Sequence, residues 1–321
     1  MSKNLYQAVV LLVVLMVAAS ANAQYPTRPI RLVVPFAPGG GTDIVARTVA
    51  QKLTEIFGQT VIVDNRAGAN GIIGTDQVAK AKPDGYTVLI TIASHAINPT
   101  LYAKLPYDTN ADLAPVSLLA EYPFVITVHP SVPAKSLREL IAFAKSHPNQ
   151  LSYASSGNGS GPHLGMELFK TMARIEMVHV PYKGAGAAAV DLISGQVQVF
   201  LNNFLAGMPM IKAGKLRALA VLGPKRAAAM PEVPTAAESG MPWFDVQTWY
   251  GTLAPAGTPQ NIIRYLNAEF VKIVNAPDVR QHLEGMGAEP LTSTPEEFAE
   301  FIKLEAQRWA RVVKDSGAQV E

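Results

Sequence analysis

The chain has 321 residues, which is long enough for two domains with separate cores and excludes a single small module. Apolar residues make up 49% of the composition and charged residues 16%, a balance that excludes an intrinsically disordered chain and a coiled coil. Lys and Arg number 27 against 25 Asp and Glu, so the formal net charge of +2 gives no general attraction to nucleic acid or anionic lipid.

The first 23 residues are predicted to be an export signal. Lys3 supplies a positive charge, residues 8–19 form an almost unbroken apolar run, and Ala21-Asn22-Ala23 has the small-x-small pattern read by signal peptidase. A membrane anchor is the alternative, but this run is shorter than the roughly 20 residues that span a bilayer. We therefore expect cleavage after Ala23 and an exported mature chain.

The mature chain begins with alternating strand and helix patterns. Residues 30–34 predict a strand, residues 44–56 a helix, and residues 61–63 and 87–92 two further strands. Such alternation is typical of parallel strands joined by crossover helices. The first series is therefore predicted to be an α/β unit.

A second series of the same kind occupies the middle of the chain. Its predicted elements are strand 151–154, helix 162–173, strand 178–182, helix 187–193 and strands 197–201 and 216–222. The C-terminal part is predicted to be helical at 261–275, 277–286 and 295–313. The last of these helices has Thr294 as its predicted N-cap and Pro295 at its first position.

Two β-rich segments, 122–129 and 246–254, separate the two series. We predict that the chain crosses between the units through them, so that residues 24–122 and 247–321 form one domain and residues 123–246 an inserted second domain. Two crossings make a hinge with a cleft, and ligand sites favour such clefts. The alternative is a single large sheet.

A glycine-rich loop at residues 35–43 follows the first predicted strand and leads into a helix. Glycine lets the backbone approach a ligand closely, and a helix N-terminus offers free N–H groups, so an anion is the expected ligand. A nucleotide phosphate is disfavoured because neither a P-loop nor a GxGxxG pattern is present. A tight turn capped by Asp43 is the structural alternative. The candidate ligand-binding residues are Phe36, Pro38, Gly39, Gly40, Thr42 and Asp43.

A second glycine-rich loop, at residues 155–163, has the same position in the second series. Pro162 suits the first position of the following helix. Two such helix N-termini, one per domain, would face each other across the cleft and donate N–H groups to one anion. A flexible surface loop is the alternative. The candidate residues are Ser155, Ser156, Gly157, Asn158, Gly159, Ser160 and His163.

Polar residues near other strand ends complete the predicted site. Lys183 is a candidate countercharge for a carboxylate, although a lysine in a loop is commonly solvated. His95 is placed at the end of the strand 87–92, and it is not predicted to transfer protons. The further candidates are Ser94, His95, Tyr182, Lys183, Gly184, Asn202 and Asn203.

Several segments together resemble the Bug family, the periplasmic solute receptors of tripartite tricarboxylate transporters. They are PGGGTD at 38–43, VDNRAGANG at 63–71, KPDGY at 82–86, PYKG at 181–184, IKAGKLRAL at 211–219 and WYG at 249–251. The resemblance covers essentially the whole mature chain. It implies a two-domain α/β periplasmic-binding-protein fold of type II, the Venus flytrap kind.

The resemblance also implies a role for the candidate residues. The two glycine-rich loops would hold a carboxylate through backbone amides and bridging waters, and the other candidates would line the rest of the cleft. Many members carry Phe-Asp-Asn where this chain has Leu201-Asn202-Asn203, and the missing acid disfavours an α-amino acid. The expected ligand is a di- or tricarboxylate or an aromatic acid, captured by a periplasmic monomer and delivered to transporter membrane subunits by transient contact.

An enzyme is the main alternative class. The chain has no cysteine, GxSxG elbow or HExxH motif, and His163 with Glu167 has i, i+4 spacing but no evident third metal ligand. We therefore predict no catalytic residue, metal or cofactor, and no nucleic-acid partner. An exported hydrolase acting on a small carboxylate, a structural or metal-binding protein and a signalling-only solute sensor are the alternatives left open.

Overall fold

The computed structural model describes residues 25–285 and 287–316, without the side chains of residues 205 and 206. The predicted export segment and its cleavage site after Ala23 lie outside the described residues. Within the described ranges, no helix combines the length and the apolar character needed to cross a membrane.

The described residues form ten strands and ten α-helices. In the first half of the chain they are β1 (Ile30–Val34), α1 (Gly41–Phe57), β2 (Val61–Asn65), α2 (Ile72–Ala79), β3 (Thr87–Thr91), α3 (Ser94–Leu101), β4 (Leu113–Val128), α4 (Leu137–Ser146) and β5 (Ser152–Ser155). In the second half they are α5 (Gly161–Ala173), β6 (Val178–Pro181), α6 (Ala185–Ser194), β7 (Val199–Asn203), α7 (Phe204–Lys212), β8 (Arg217–Leu222), β9 (Gln247–Pro255), α8 (Gln260–Asn275), α9 (Pro277–Gly285), β10 (Glu289–Pro290) and α10 (Pro295–Ser316).

The parallel strands fall into two groups. In the first unit, which contains β1 to β3 and α1 to α3, β1 pairs in parallel with β2 and β3. In the second unit, which contains β5 to β7 with α5 and α6, β5 pairs in parallel with β6 and β7. Both units have the alternating order that the sequence predicts.

Strand β4 joins the two units. Residues 113–123 pair with β9, whereas residues 124–128 pair with β7 and β8. The change of neighbours falls at Pro123, which has no N–H to donate to a ladder. The strands are linked in one hydrogen-bonded path, β2-β1-β3-β9-β4-β7-β5-β6, with β8 and β10 also on β4. All the strands are therefore joined by hydrogen bonds, although the parallel strands form two separate groups. The domain boundaries next to Pro123 stay a prediction.

Helices α2, α3, α4 and α7, the first nine residues of β4 and the short strand β10 were not predicted from the sequence. Pro99 lies inside α3, which has eight residues, so its sequence reads as a loop. Ser94 and His95 consequently open a helix, and the prediction that they end a strand is wrong. Pro115 lies within β4, where the register shifts between Pro115 and Ser117, and this irregularity hides the strand's first part.

The C-terminal helix α10 packs on both units, since it contacts α3 as well as α5. Its Phe298 and Trp309 are buried in the larger apolar core. The carboxylate of Glu305, which is 6% exposed, accepts hydrogen bonds of 3.0 Å from the indole groups of both Trp249 and Trp309. Strand β9 is thereby tied to α10 near the point where the chain returns to the first unit.

The hydrogen bonds that cap the start of α10 provide a test of what stabilises this helix. Thr294 Oγ1 accepts the Glu297 N–H at 3.1 Å, and the Glu297 carboxylate accepts the Thr294 N–H at 2.8 Å, which confirms the predicted N-cap. We expect Thr294→Ala to lower the free energy of unfolding by about 1 kcal/mol in urea titrations. Glu297→Gln keeps an acceptor for the Thr294 N–H and should lose less. An unchanged stability of Thr294→Ala would contradict the expectation.

Candidate ligand-binding cleft

Two adjoining cavities lie between the units. The inner cavity has a volume of about 50 Å³, and the outer cavity has a volume of about 370 Å³. Phe36 from the first unit and Ser156 from the second line both cavities. These two residues therefore mark the passage between the two spaces.

Four helices begin at the wall of the inner cavity: α1 and α3 from the first unit, and α5 and α6 from the second. The first N–H groups of a helix have no partner inside the helix, and the helix dipole places partial positive charge there. None of the described residues lining this cavity is a lysine or arginine. The inner cavity is therefore suited to an anion held by backbone and hydroxyl donors. The helix residues at its wall include Gly41, Thr42, Ser94, Gly161, Pro162 and Ala185.

Two of these helix N-termini, those of α3 and α6, were not recognised as donors from the sequence. Gly184 is the N-cap of α6 and Ala185 is its first residue. The segment in which Lys183 was predicted as a countercharge therefore also contributes a helix N-terminus. The run of alanines after Gly184 favours a helix from residue 185 onwards, and this was the available signal. For α3, Pro99 obscured the pattern.

In the first glycine-rich loop, Asp43 bonds to protein groups. Its carboxylate accepts hydrogen bonds from the Gly39 N–H at 3.0 Å, Arg47 Nε at 2.9 Å and Asn65 Nδ2 at 3.0 Å. Burial favours a higher pKa for Asp43, but hydrogen bonds from Arg47, Gly39 and Asn65 outweigh it, and the pKa is lowered overall. Asp43 therefore carries a charge that is neutralised within the protein and fixes the loop at Gly39.

In the second glycine-rich loop, His163 has the matching role. Its Nδ1 accepts the Gly159 N–H at 3.0 Å, and the Ser160 hydroxyl caps α5 by accepting the His163 N–H at 3.4 Å. The His163 ring stacks on His179 with 4.1 Å between the ring centroids, and Ser155 Oγ lies 2.6 Å from His179 Nε2. Ser155, Ser160 and His163 thus support the loop from behind.

Asn202 and Asn203 lie on opposite faces of β7. Asn203 lines the inner cavity and donates a hydrogen bond of 2.5 Å to the Tyr250 hydroxyl. A Cβ on Gly41 would overlap that hydroxyl, so the first residue of α1 has to be glycine. Asn202 faces α7 instead, where a Cβ on Gly207 would lie 2.7 Å from its Nδ2. Asn203 therefore belongs to the cleft, and Asn202 to the packing beside it.

The outer cavity lies between residues 67–71 with Tyr102 on one side and residues 181–184 on the other. Lys183 lines this cavity and is exposed. The Tyr182 hydroxyl donates a hydrogen bond of 2.7 Å to Asp191. A positive charge is thus available to a ligand group outside the inner cavity.

The predicted site residues separate into two groups. Those lining a cavity are Phe36, Gly40, Thr42, Ser94, Ser156, Gly157, Asn158, Tyr182, Lys183, Gly184 and Asn203. Those that line neither cavity are Pro38, Gly39, Asp43, His95, Ser155, Gly159, Ser160, His163 and Asn202. The ligand-binding role of these residues stays a prediction.

Within the described ranges, no three His, Cys, Asp or Glu side chains lie close enough to hold a metal ion. Glu167, which has metal-ligand spacing to His163 in the sequence, is bound to other groups. Its carboxylate accepts hydrogen bonds from the Tyr153 hydroxyl and, at 2.8 Å, from Lys170. The geometry around His163 therefore supports the second loop.

The family model described as tripartite tricarboxylate transporter family receptor matches residues 45–318. The chain belongs to this receptor family. It is 41% identical over 308 residues to protein BugT of Bordetella pertussis, a match that covers 95% of this chain and 94% of BugT. The resemblance to the Bug family is thereby confirmed, and so is the prediction of a receptor that is not an enzyme.

Solved structures of related proteins share the fold of this receptor. An R. palustris protein with adipate is 38% identical, with a TM-score of 0.90 over 92% of this chain and 100% of the other. MatC from Rhodopseudomonas palustris, with bound malate, is 34% identical, with a TM-score of 0.86 over 90% of this chain and 100% of MatC. The predicted two-lobed α/β periplasmic-binding-protein fold is confirmed.

Two buried histidines should make the receptor sensitive to acid. Burial lowers the pKa of His95 from the ordinary value of 6.5 to about 4. The pKa of His179 is also lowered from 6.5 to about 4, mainly by burial and to a smaller extent by the nearby His163. Between these values the unfolded chain binds more protons than the folded chain. Above pH 6.5 these two histidines should therefore not lower the free energy of unfolding, and it should fall as the pH drops from 6.5 towards about 4.

Urea titrations across this pH window measure the effect. His179→Gln keeps a hydrogen-bonding partner for Ser155 and removes one titrating group, so its stability should fall less steeply with acid than that of the parent protein. An identical pH profile for the two proteins would contradict the assignment.

Proposed function

We propose that this protein is a periplasmic receptor that captures a small organic carboxylate between two lobes and delivers it to the membrane subunits of a tripartite tricarboxylate transporter. The first lobe comprises residues 24–122 and 247–321, and the second lobe residues 123–246. The observation that carries the proposal is the convergence of four helix N-termini, two from each unit, on one small cavity. Membership of the receptor family supports the role in transport.

The inner cavity favours a carboxylate group. The carboxylate oxygens are acceptors only, and the cavity offers donors: backbone N–H groups at the helix starts and the hydroxyls of Thr42, Ser94 and Ser156. Donors from opposite lobes bind the same group only when the lobes are together, so the ligand stabilises the closed form. The related structures with malate and with adipate, both dicarboxylic acids, support this class of ligand.

The outer cavity is the proposed place for the rest of the ligand. Its volume of about 370 Å³ admits a chain or ring, and Lys183 supplies a charge for a second carboxylate. None of the described residues lining either cavity is Asp or Glu, so an ammonium group would find no countercharge. A di- or tricarboxylate or an aromatic acid is therefore favoured over an α-amino acid.

A thermal-shift screen tests the proposal with malate, adipate, citrate, terephthalate, nicotinate and glutamate. At 100 times its dissociation constant a ligand adds about 2.7 kcal/mol of stability, which raises the melting temperature by several degrees. We expect such a shift with at least one organic acid other than glutamate and none with adipamide, the uncharged control. Mass spectrometry should recover the acid unchanged. Equal shifts with acid and amide, or none with any acid, would contradict the proposal.

Gly40 tests the inner cavity directly. Its φ of −81° and ψ of 169° suit any residue, and a Cβ would lie 3.9 Å from the Ala37 carbonyl oxygen, so Gly40→Val should fold normally. Because its isopropyl group would occupy the inner cavity, carboxylate binding should be abolished in isothermal titration calorimetry. Gly40→Ala adds one carbon and should weaken binding less. Unchanged affinity in Gly40→Val would exclude this cavity as the site.

A further inference from the structure

One side chain bridges the two lobes at the outer cavity. Asn70 Nδ2 donates hydrogen bonds of 2.9 Å to the Gly159 carbonyl oxygen of the second lobe and of 2.9 Å to Asn98 Oδ1 of the first. We infer that Asn70 is a latch for the closed receptor, a positioning residue that holds the lobes together and thereby retains the ligand. Its effect on affinity rests on the proposed function, whereas its effect on closure does not.

The first-lobe half of the latch is held rigidly. Asn70 has a left-handed backbone, with φ of 50° and ψ of 38°, in the short turn Ala69–Gly71. Asn98 is 2% exposed, and its Nδ2 donates a hydrogen bond of 3.2 Å to the Asn70 carbonyl oxygen. Because Asn98 bonds both the main chain and the side chain of Asn70, the Asn70 amide is already aimed across the cleft.

The second-lobe half is equally fixed. The Gly159 N–H is bound to His163 Nδ1 at 3.0 Å, and the His163 ring is stacked on His179. Gly159 has a φ of 74°, a conformation that glycine adopts without strain. With both partners ordered in advance, little conformational entropy is lost when the latch forms.

The latch lies further from the crossing strands than the inner cavity does, and this position makes it sensitive to opening of the lobes. The inner cavity is lined by Phe124 and Thr248 from the two crossing strands, whereas Asn70 lines the outer cavity. Rotation about the crossings moves atoms in proportion to their distance from them, so opening the lobes separates Asn70 from Gly159 at an early stage. The Asn203–Tyr250 hydrogen bond lies at the inner cavity, where the same rotation moves atoms less.

The lobes also touch where a side chain would obstruct them. A Cβ on Gly184 would lie 3.3 Å from the Ala37 Cβ, and a Cβ on Gly186 would lie 3.2 Å from the Pro38 carbonyl oxygen. These glycines let the start of α6 lie directly against the first glycine-rich loop. Packing there permits closure, while the directional bond from Asn70 fixes the relative position of the lobes.

The expected effect follows from the strength of one hydrogen bond. Losing such a bond changes an equilibrium by about 2- to 12-fold. We infer that the free receptor holds a minor closed population, which losing the latch lowers by about this factor, so that the ligand-free lobes lie further apart on average. The binding of every ligand weakens by nearly the same factor, because each ligand has to bring about the same closure. A direct contact between Asn70 and one ligand would instead give losses that differ between ligands.

The experiment compares Asn70→Gly with Asn149→Gly. Glycine preserves the left-handed backbone in both, since Asn149 has a φ of 59°, and Asn149 is an exposed residue of the second lobe away from both cavities. The chain has no cysteine, so Glu55→Cys in α1 and Lys145→Cys in α4 place one spin label on each lobe. Double electron–electron resonance then reports the distance between the lobes without ligand, and calorimetry gives the affinity for adipate and for malate.

We expect the ligand-free Asn70→Gly receptor to shift towards longer distances and to lose affinity about 2- to 12-fold, equally for each acid that binds the parent protein. Asn149→Gly should match the parent in both measurements. An unchanged distance distribution in Asn70→Gly, or a loss of affinity confined to one acid, would overturn the latch. If neither acid binds the parent protein, the ligand assignment fails, while the distance measurement still decides whether Asn70 governs closure.

Discussion

The cleft depends on one constraint of backbone chemistry, that the first N–H groups of a helix find no partner inside the helix. In this receptor α1, α3, α5 and α6 all begin at the same small cavity, so the starts of four helices share one space. Parallel strands joined by helices bring this about, because each helix starts where a strand ends. Asp43 and His163 then hold the two glycine-rich loops in place through Gly39 and Gly159. The side chains behind the cavity thus keep backbone donors in position, and in the proposed function it is this backbone that contacts the ligand.

Local patterns in the sequence were sufficient to predict the two α/β units and the position of the two glycine-rich loops between a strand and a helix. Strand periodicity, Pro162 at a helix start and the order of the segments all depend on neighbouring residues, and these predictions agree with the structure. Elements interrupted by proline were not predicted, as Pro99 in α3 and Pro115 in β4 show. Their stability comes from tertiary packing and strand pairing, which a local pattern does not contain.

Side-chain direction was the harder part of the site. From the sequence, Asn202 and Asn203 are equivalent amides at a strand end, yet the pleat turns one towards the cavity and the other towards α7. Asp43 and His163 carry the chemistry expected of ligand contacts, but their bonds to Gly39 and Gly159 place them behind the loops. The contributions of Asn70 and Tyr250 arise from contacts between segments distant in the chain, so no motif announces them.

The lack of lysine and arginine among the described residues that line the inner cavity has a consequence for the medium in which the receptor works. Dissolved ions weaken attraction between exposed charges over a Debye length of about 8–10 Å at moderate salt. An enclosed anion touching peptide dipoles at hydrogen-bond range leaves no room for such ions to intervene. Capture at the inner cavity should thus vary little with ionic strength, and sensitivity to salt should come from the exposed ammonium group of Lys183.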